Sequence, residues 1–416
     1  MEVKVKEGYK QTELGVIPED WRACEFKDVI TGFSSGMTPY RGRPEYYKGD
    51  IRWITSGELN YNIITDTEEK ITKEAVIKTN LKILSKGTFL MAITGLEAEG
   101  TRGSCGIVGV EATTNQSCMA LYPISGEITT DYLYHFYVHY GNELAFKYCQ
   151  GTKQQSYTGR IAKILPINLP STVTEQTTIA TALSDASVLI QSLEKFIAKK
   201  HAIKQGVMQE LLKPKAGWVV RKLGEVCNYQ NGTSLEKYFN HNDGLKVISI
   251  GNYSPHGKFI DTNTFISTEY LSNIGSFILN KNDLTMILND KTSIGTIIGR
   301  VLLIGADNAF AFNQRTMRLS PKLGSNPLFL YHLINSSLIH SRLVALAKPG
   351  TQIYVNTNDI VDFELSVPKL EEQIRIATIL SDMDAEIAAL KTKLAKYQQV
   401  KQGMMQNLLN GRIRLI

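Results

Sequence analysis

Three short motifs contain residues whose types and spacing could perform chemistry. Gly32-Phe-Ser34-Ser-Gly36 has the G-x-S-x-G spacing of a nucleophile elbow. His135 and His139 are four residues apart, as two metal ligands on one face of a helix would be. Glu68-Glu69-Lys70 has the E-x-K spacing found in nuclease sites.

Each motif has a simpler structural interpretation, which we favour. A nucleophile elbow needs a helix after the serine, whereas a polar Thr-Pro-Tyr-Arg loop follows Gly36. The two histidines lack an H-E-x-x-H context, so they predict packing rather than a metal site. No upstream Asp in a strand context accompanies Glu68-Glu69-Lys70, which we interpret as a solvated charge cluster.

Cofactor-binding signatures are missing from the sequence. No two glycines have G-x-G spacing, and the Gly257-Lys258 pair is followed by Phe, so neither a dinucleotide loop nor a Walker A motif is present. No two prolines are adjacent, which excludes the N-P-P-Y tetrapeptide of amino-methyltransferases. The sequence therefore predicts no catalytic residue, no metal ligand and no cofactor for this chain.

Loops rich in Arg, Lys, Tyr, Asn and Gln remain, and they favour recognition of nucleic acid. Arg, Lys, Asn and Gln read base edges, while Lys, Ser and Thr hold phosphates. For each loop the alternative is an ordinary solvated surface. The candidate DNA-contacting residues are Thr38, Tyr40, Arg41, Arg43, Lys48, Thr101, Arg102, Lys153, Gln154, Tyr157, Lys237, Tyr238, Lys291, Arg315, Lys348, Gln352 and Tyr354.

Two long amphipathic helices must position these loops. From 371 to 409, apolar residues recur in alternating steps of four and three, which is the seam of a coiled coil. The same pattern occurs 197 residues earlier, with Glu175-Gln176 matching Glu372-Gln373 and Lys204-Gln205-Gly206 matching Lys401-Gln402-Gly403. The seam residues include Leu183, Ile190, Leu193, Ile197, Leu380, Ile387, Leu390 and Leu394.

The repeat extends beyond the helices. Trp21 maps onto Trp218, and Tyr134-His135 onto Tyr331-His332. The predicted organisation is a first recognition domain (1–170), a long spacer helix (171–213), a second recognition domain (214–368), and a second long helix with a C-terminal tail (369–416). Duplication of this kind predicts pseudo-two-fold symmetry.

Each globular part mixes strand and helix patterns. Strands are predicted at 51–55, 106–110, 245–250 and 296–304, and helices at 132–148 and 328–347. The predicted fold class is α+β: two similar α/β globular domains with largely antiparallel or mixed sheets, separated by two helices packed as an antiparallel coiled coil. Gly206 and Gly403, which cost about 1 kcal/mol each inside a helix, predict a close helix crossing.

Length and composition agree with a multidomain folded protein. A chain of 416 residues exceeds one core, and its net charge of +6 is compatible with a nucleic-acid partner. No apolar run is long enough to span a membrane, and no signal peptide is apparent. Five cysteines without a CxxC pair predict reduced core thiols, and hence a cytoplasmic protein.

The helix length suggests a spacing function. At 1.5 Å per residue, each helix spans about 58 Å, or roughly 17 base pairs of duplex. If the helices pack antiparallel, two similar but non-identical domains at opposite ends could read two different short sites across a fixed gap.

The whole pattern resembles the specificity (S) subunit of type I restriction-modification enzymes. The matching segments include Gly8 to Trp21, the Glu372-Gln-x-x-Ile-Ala-x-x-Leu-Ser-Asp382 signature with its copy from Glu175, and the closing Gly411-Arg-Ile-Arg-Leu415. The segment before Trp21 has only a short counterpart before Trp218, so the C-terminal tail is expected near the N-terminus, where it would complete a cyclic repeat.

The resemblance implies a function for each part. The globular domains would be target recognition domains, each reading one half of a bipartite asymmetric site in double-stranded DNA. The helices would be spacers that also dock methyltransferase subunits, two in number, which methylate adenine N6. Restriction and translocase subunits would join the full complex.

Two other classes of function stay open at this stage. One is a self-contained nuclease or methyltransferase with a duplicated reader, against which the missing cofactor motifs argue. The other is a coiled-coil scaffold whose domains bind protein, against which the Arg/Lys/Tyr loops argue.

Overall fold

The computed structural model describes residues 6–98, 100–151, 155–348 and 352–415, and it contains two compact units. Unit 1 comprises Met1–Glu194 and Thr392–Ile416, and unit 2 comprises Lys195–Lys391. Each unit therefore combines one globular domain with a part of both long helices.

Unit 1 is built on a five-stranded sheet in the order β4-β11-β8-β9-β6 and a three-stranded sheet in the order β10-β5-β7. Its strands are β1 (Tyr9–Thr12), β2 (Gly15–Pro18), β3 (Arg22–Glu25), β4 (Ile30–Ser35), β5 (Ile51–Ile54), β6 (Asn62–Ile64), β7 (Lys70–Ile71), β8 (Phe89–Ala92), β9 (Cys105–Val108), β10 (Ala112–Thr114), β11 (Cys118–Pro123) and β12 (Pro166–Leu169). Its helices are α1 (Phe26–Val29), α2 (Lys73–Lys78), α3 (Thr130–Tyr148), α4 (Gly159–Lys163) and the first part of α5 (Val173–Leu211).

Unit 2 repeats this plan with four-stranded sheets in the orders β14-β22-β18-β20 and β15-β17-β16-β21. Its strands are β13 (Val219–Lys222), β14 (Cys227–Asn231), β15 (Phe239–Asn240), β16 (Leu245–Ile248), β17 (Phe265–Ile266), β18 (Leu284–Ile287), β19 (Asn289–Asp290), β20 (Val301–Leu303), β21 (Phe310–Phe312), β22 (Thr316–Pro321), β23 (Ile353–Tyr354) and β24 (Glu364–Val367). Its helices are α6 (Leu223–Val226), α7 (Leu271–Ile274), α8 (Pro327–Ile334), α9 (Ser337–Val344), α10 (Thr357–Val361) and the first part of α11 (Leu370–Leu408).

The shared topology confirms the internal repeat. In the larger sheet, β4, β11, β8 and β9 of unit 1 follow the same order as β14, β22, β18 and β20 of unit 2. In the smaller sheet, β5 pairs in parallel with β10, and β16 pairs in parallel with β21. The predicted α+β fold is therefore confirmed for both domains.

Both long helices form as predicted, with 39 residues each. Within unit 1, Gln398 donates to Glu194 at 3.5 Å, while Ile179 and Leu183 share a core with Leu408. Residue numbers thus rise along one helix as they fall along the other, which is an antiparallel pairing.

The helix segments of unit 2 pair in the same sense. Lys200 contacts Glu386 at 2.6 Å, and Lys204 contacts Asp384 at 2.5 Å. The Lys204 side chain is only 12% exposed, so this ion pair lies within the helix interface. These lysines therefore help to set the register of the two helices.

The seam residues follow the predicted periodicity of burial. Leu183, Leu193 and Ile197 on one helix, and Leu380 and Ile387 on the other, are buried. The remaining three are half-buried: Ile190, Leu390 and Leu394.

An equivalent hydrogen bond attaches each domain to its long helix. Gln176 accepts a hydrogen bond from the Thr129 amide at 3.0 Å, and Gln373 accepts one from the Asn326 amide at 2.8 Å. Thr129 and Asn326 are the residues that cap α3 and α8. The repeated Glu-Gln motif therefore joins each helix to the start of a domain helix.

His135 and its counterpart in the repeat, His332, pack against the long helices. His135 Nε2 lies 2.8 Å from Ser184 Oγ, and the repeat places His332 Nε2 3.3 Å from Ser381 Oγ. Burial lowers the pKa of both imidazoles to about 4. They are therefore buried packing residues that are neutral near pH 7.

The C-terminal tail packs on the N-terminal segment within unit 1, as the cyclic repeat predicts. Gly411 lies against Pro18 and Trp21, and the Tyr9 hydroxyl donates to the Gly411 carbonyl at 3.4 Å. Arg414 donates to the carboxylates of Glu175 and Asp20.

Three predictions about local structure were wrong. An added Cβ at Gly206 or Gly403 would meet no heavy atom within 4 Å among the described residues, so neither glycine marks a close crossing. The helix predicted at 328–347 is two helices, because the Ser336 side chain caps a new start by accepting from the Ile339 amide. Likewise, the strand predicted at 296–304 is limited to Val301–Leu303, after a turn at Gly299 with φ of +69°.

Candidate DNA-binding surfaces

The first candidate surface of unit 1 is the loop 36–48, which is anchored to buried groups. An added Cβ at Gly36 would lie 1.8 Å from the Thr114 carbonyl oxygen, so only glycine permits this close backbone approach. The next residue, Met37, donates its amide to the same carbonyl at 3.1 Å and accepts from Trp53 Nε1 at 3.1 Å. Because Trp53 is 1% exposed, the loop begins on a fixed support.

Arg41 is the most restrained cation of this loop. Its guanidinium lies 4.2 Å from the Tyr47 ring centroid and 5.1 Å from that of Trp53. It also donates two hydrogen bonds to the Glu69 carboxylate, at 2.6 and 2.8 Å. These bonds lower the pKa of Glu69 and raise that of Arg41, so both groups stay charged at neutral pH.

Neighbouring side chains of the loop are more exposed. Tyr40 is 72% exposed, and Lys48 is also exposed. The Arg43 guanidinium lies over the Tyr46 ring at 5.5 Å and donates to its hydroxyl at 3.1 Å. Thr38 donates to the Gln116 side chain, which brings the 113–117 segment to the same surface.

The loop of unit 1 that contains Thr101 and Arg102 is less exposed than the loop 36–48. Arg102 donates to the carbonyls of Leu96 and Glu97, at 2.8 and 3.0 Å, and so closes its own loop with Thr101 half-buried. Tyr157 is only 3% exposed in the unit 1 core. The prediction that Tyr157 contacts DNA is therefore wrong, and Tyr157 is a packing residue. The polar sequence around it does not indicate that its side chain is buried. Lys153 and Gln154 lie outside the described residues.

In unit 2, three loops converge on one surface. The strands β19 and β23 pair Asn289 with Tyr354, and the Leu288 amide donates to the Arg315 carbonyl at 2.9 Å. Arg315 Nη1 then donates to the Gln352 side chain at 2.8 Å. The predicted residues Arg315, Gln352 and Tyr354 are thus brought together, although they are up to 39 residues apart in the chain.

Asp290 shapes the part of this surface that carries Lys291. Its carboxylate is 2% exposed and accepts from the amides of Thr292 and Ile297, at 2.8 and 2.9 Å. Burial acts to raise the pKa of Asp290, but these hydrogen bonds outweigh it and hold the pKa below its usual range. The loop is consequently folded around a buried charge, with Lys291 exposed.

A second group of unit 2 residues surrounds Glu236. Burial opposes its ionisation, but hydrogen bonds from Ser234, Asn313 and Gln314 lower its pKa to about 2. Lys237 lies nearby in the chain, with its Nζ 4.7 Å from the Tyr238 ring centroid.

The remaining predicted cation of unit 2, Lys348, is exposed and lies 3.6 Å from Asp359. Its backbone pairs with Tyr354, which places it beside the surface formed by Arg315 and Gln352.

The sequence analysis did not identify the acidic partners of these surfaces. Glu69 is 28 residues from Arg41, and Glu236 is 77 and 78 residues from Asn313 and Gln314, so no short sequence motif indicates these pairings.

The alternative chemistries find no support in the described parts of the chain. No cluster of three or more His, Cys, Asp or Glu residues there could hold a metal ion. The Ser34 hydroxyl is hydrogen-bonded to the Tyr122 hydroxyl, and Glu69 binds Arg41. No described helix is both long and apolar enough to cross a membrane.

Comparison with known proteins agrees with this picture. The family model of the type I restriction modification DNA specificity domain matches twice, at residues 18–205 and 215–401. The chain therefore belongs to the type I restriction-modification DNA specificity family, and the resemblance noted in the sequence is confirmed. Specificity subunits are non-catalytic, which agrees with the role predicted for this chain.

Two relatives from Methanocaldococcus jannaschii match over nearly the whole chain. The type I restriction enzyme MjaVIII specificity subunit is 27% identical, with 100% of this chain and 98% of that protein covered. The MjaIX specificity subunit is 25% identical, with coverages of 98% and 96%. The crystal structure of the S subunit from M. genitalium has the same fold, with a TM-score of 0.60, 14% identity and 98% of each chain covered.

Proposed function

We propose that this specificity subunit reads a bipartite, asymmetric site in double-stranded DNA, with unit 1 contacting one half and unit 2 the other. One observation carries the proposal. The two domains share a strand order, yet the loops that follow the equivalent strands β4 and β14 present different side chains: Tyr40, Arg41 and Arg43 in unit 1, and Glu236, Lys237 and Tyr238 in unit 2. A shared scaffold with unlike loops suits two different short sequences.

The proposed contacts are exposed or half-buried residues of these surfaces. In unit 1 these are Thr38, Tyr40, Arg41, Arg43 and Lys48. In unit 2 they are Lys237, Tyr238, Lys291, Arg315, Lys348, Gln352 and Tyr354. Side chains fixed by neighbours, such as Arg315 on Gln352, are suited to base edges, and exposed lysines are suited to phosphates.

The two long helices have two proposed roles. Their uninterrupted length would set the gap between the half-sites, and their surfaces would dock methyltransferase subunits, two in number. Those subunits would supply S-adenosylmethionine chemistry at adenine N6, and restriction subunits would add translocation and cleavage. This chain itself would need no cofactor.

The test is to express the chain with a type I methyltransferase partner and map the methylated adenines. The proposal predicts a two-part motif with a fixed gap. Alanine at Thr38 and Tyr40 should weaken recognition of one half only, and alanine at Arg315 and Gln352 should weaken the other. Methylation without a two-part motif would contradict the proposal.

The alternative functions give different results in two further assays. Turnover by the lone chain with DNA, magnesium and S-adenosylmethionine would indicate a self-contained enzyme. Failure to shift random duplexes, both alone and with the methyltransferase partner, would indicate a scaffold that binds protein.

A further inference from the structure

We infer that Arg41 is a base-reading residue that recognises a guanine in the half-site of unit 1, and that Glu69 holds it in position for this purpose. The inference rests on the proposed function and names one specificity-determining residue within it. It is carried by the geometry of the Arg41 side chain and by the contrast with Arg43 on the same loop.

The guanidinium of Arg41 retains a free hydrogen-bonding edge. Glu69 takes one N–H from Nη1 and one from Nη2, which uses the end of the guanidinium and two of its five donors. Within the described residues, Nε donates to no protein atom. The Nε–H and the outer Nη2–H are parallel, and this pair matches the O6 and N7 acceptors of guanine in the major groove.

The side chain is also held rigidly while remaining accessible. Tyr47 donates its hydroxyl to the Pro39 carbonyl, and Trp53 donates to the Met37 carbonyl, so both rings that contact Arg41 are themselves fixed. The Arg41 side chain is nevertheless 54% exposed. Because the rotamer is already restricted, little conformational entropy remains to be lost when a base edge is bound.

Charge distinguishes a base contact from a phosphate contact. Arg41 and Glu69 form a pair with no net charge, which has little attraction for a phosphate but keeps its hydrogen-bond geometry. Arg43 has no carboxylate partner among the described residues and contacts only Tyr46, so its full positive charge is suited to the DNA backbone.

The experiment uses the complex with its methyltransferase partner and duplexes in which each position of the mapped half-site is varied. Wild type should prefer guanine at one position of the unit 1 half-site. Arg41→Lys should reduce that preference by roughly 5- to 150-fold, the range for one bidentate contact, and leave other positions unchanged. Glu69→Gln should reduce the same preference by a smaller factor.

Arg43→Lys and Arg43→Gln are the matched controls. Arg43→Gln should weaken binding to all duplexes equally. It should also reduce the slope of log affinity against log salt concentration by about one, the loss of about one released counterion, whereas Arg43→Lys should retain most of the affinity. Unfolding midpoints of all variants establish that each is folded, and Glu69→Gln serves as the test if Arg41→Lys is not.

Three outcomes would overturn the inference. If Arg41→Lys or Glu69→Gln leaves the base profile unchanged, the pair is only structural. If the Arg41 variant weakens all duplexes equally, Arg41 contacts phosphate. If the altered position does not prefer guanine, the base assignment is wrong. A wild-type complex without any sequence preference would instead refute the proposed function itself.

Discussion

Arg414 neutralises a buried carboxylate, so removal of its guanidinium should destabilise unit 1 considerably. Arg414 donates to Glu175 at 2.5 and 2.9 Å, and Glu175 is only 4% exposed. It also donates to Asp20 at 3.0 and 2.9 Å and so lowers the pKa of that carboxyl. The C-terminal tail is thereby attached both to the N-terminal segment and to the start of α5.

The magnitude follows from the burial of each partner. Leaving a buried charge without its partner costs about 3–5 kcal/mol. The Arg414 side chain is 26% exposed, so water can partly replace it, and we expect a loss of about 3 kcal/mol for Arg414→Ala. The bond to Asp20, which is 52% exposed, should contribute less than about 1 kcal/mol of this.

Urea unfolding followed by tryptophan fluorescence measures the effect, since Arg414 lies over the Trp21 ring at 5.8 Å. Amide hydrogen exchange in β2 and at the start of α5 assigns the change to unit 1. Arg412→Ala is the control, because Arg412 is exposed and should change stability by less than about 0.5 kcal/mol.

A double-mutant cycle tests the proposed cause. Arg414→Ala in a Glu175→Gln background should cost at least about 1 kcal/mol less than in wild type, because no buried charge is left behind. Equal stabilities of Arg414→Ala and Arg412→Ala, or an unchanged cost of Arg414→Ala in the Glu175→Gln background, would show that the buried charge of Glu175 does not depend on Arg414.

Three further predictions concern the helix interface and the unit 2 surface. The pKa of His135 and His332 is about 4 in the folded protein and 6.5 in the unfolded chain, so the unfolded state binds more protons between these values and stability falls as pH falls. Each histidine should lower the free energy of unfolding by about 2 kcal/mol between pH 7 and pH 5. His135→Gln should remove the His135 share of this loss, as measured by urea titrations at the two pH values. Gly206→Ala and Gly403→Ala should each raise the unfolding free energy by up to about 1 kcal/mol, because an added Cβ has no heavy atom of the described residues within 4 Å at either position; an unchanged or lower urea midpoint would contradict this. Arg315 has a φ of +67°, which Asn tolerates better, so Arg315→Asn should leave thermal stability equal or higher while weakening binding to the unit 2 half-site in competition assays.

The helices and the repeat could be predicted because their signals are local. Apolar residues at steps of three and four determine which face of each long helix is buried, and the copied Glu-Gln pair occurs where that helix meets its domain. These features depend on neighbours in the sequence, so the sequence alone is sufficient to indicate them.

The detailed arrangement of the candidate site could not be predicted, because it depends on contacts between distant residues. Glu69 looks like part of a solvated charge cluster in the sequence, yet it binds Arg41, which is 28 residues away. Tyr157 lies in a polar loop but its ring is buried by core residues from elsewhere in unit 1. Loop composition indicates which side chains are available, and only the fold determines which of them face solvent.

The proposed function requires that two unlike domains read two half-sites across a gap that the helices fix. Removing one heptad around Ser192 in α5 and the facing heptad around Gln398 in α11 preserves the seam and shortens both helices by about 10 Å, or roughly three base pairs. Mapping of methylated adenines with this variant should show the same two half-sites with a gap about three base pairs shorter. An unchanged gap with full methylation would show that the helices do not set the gap.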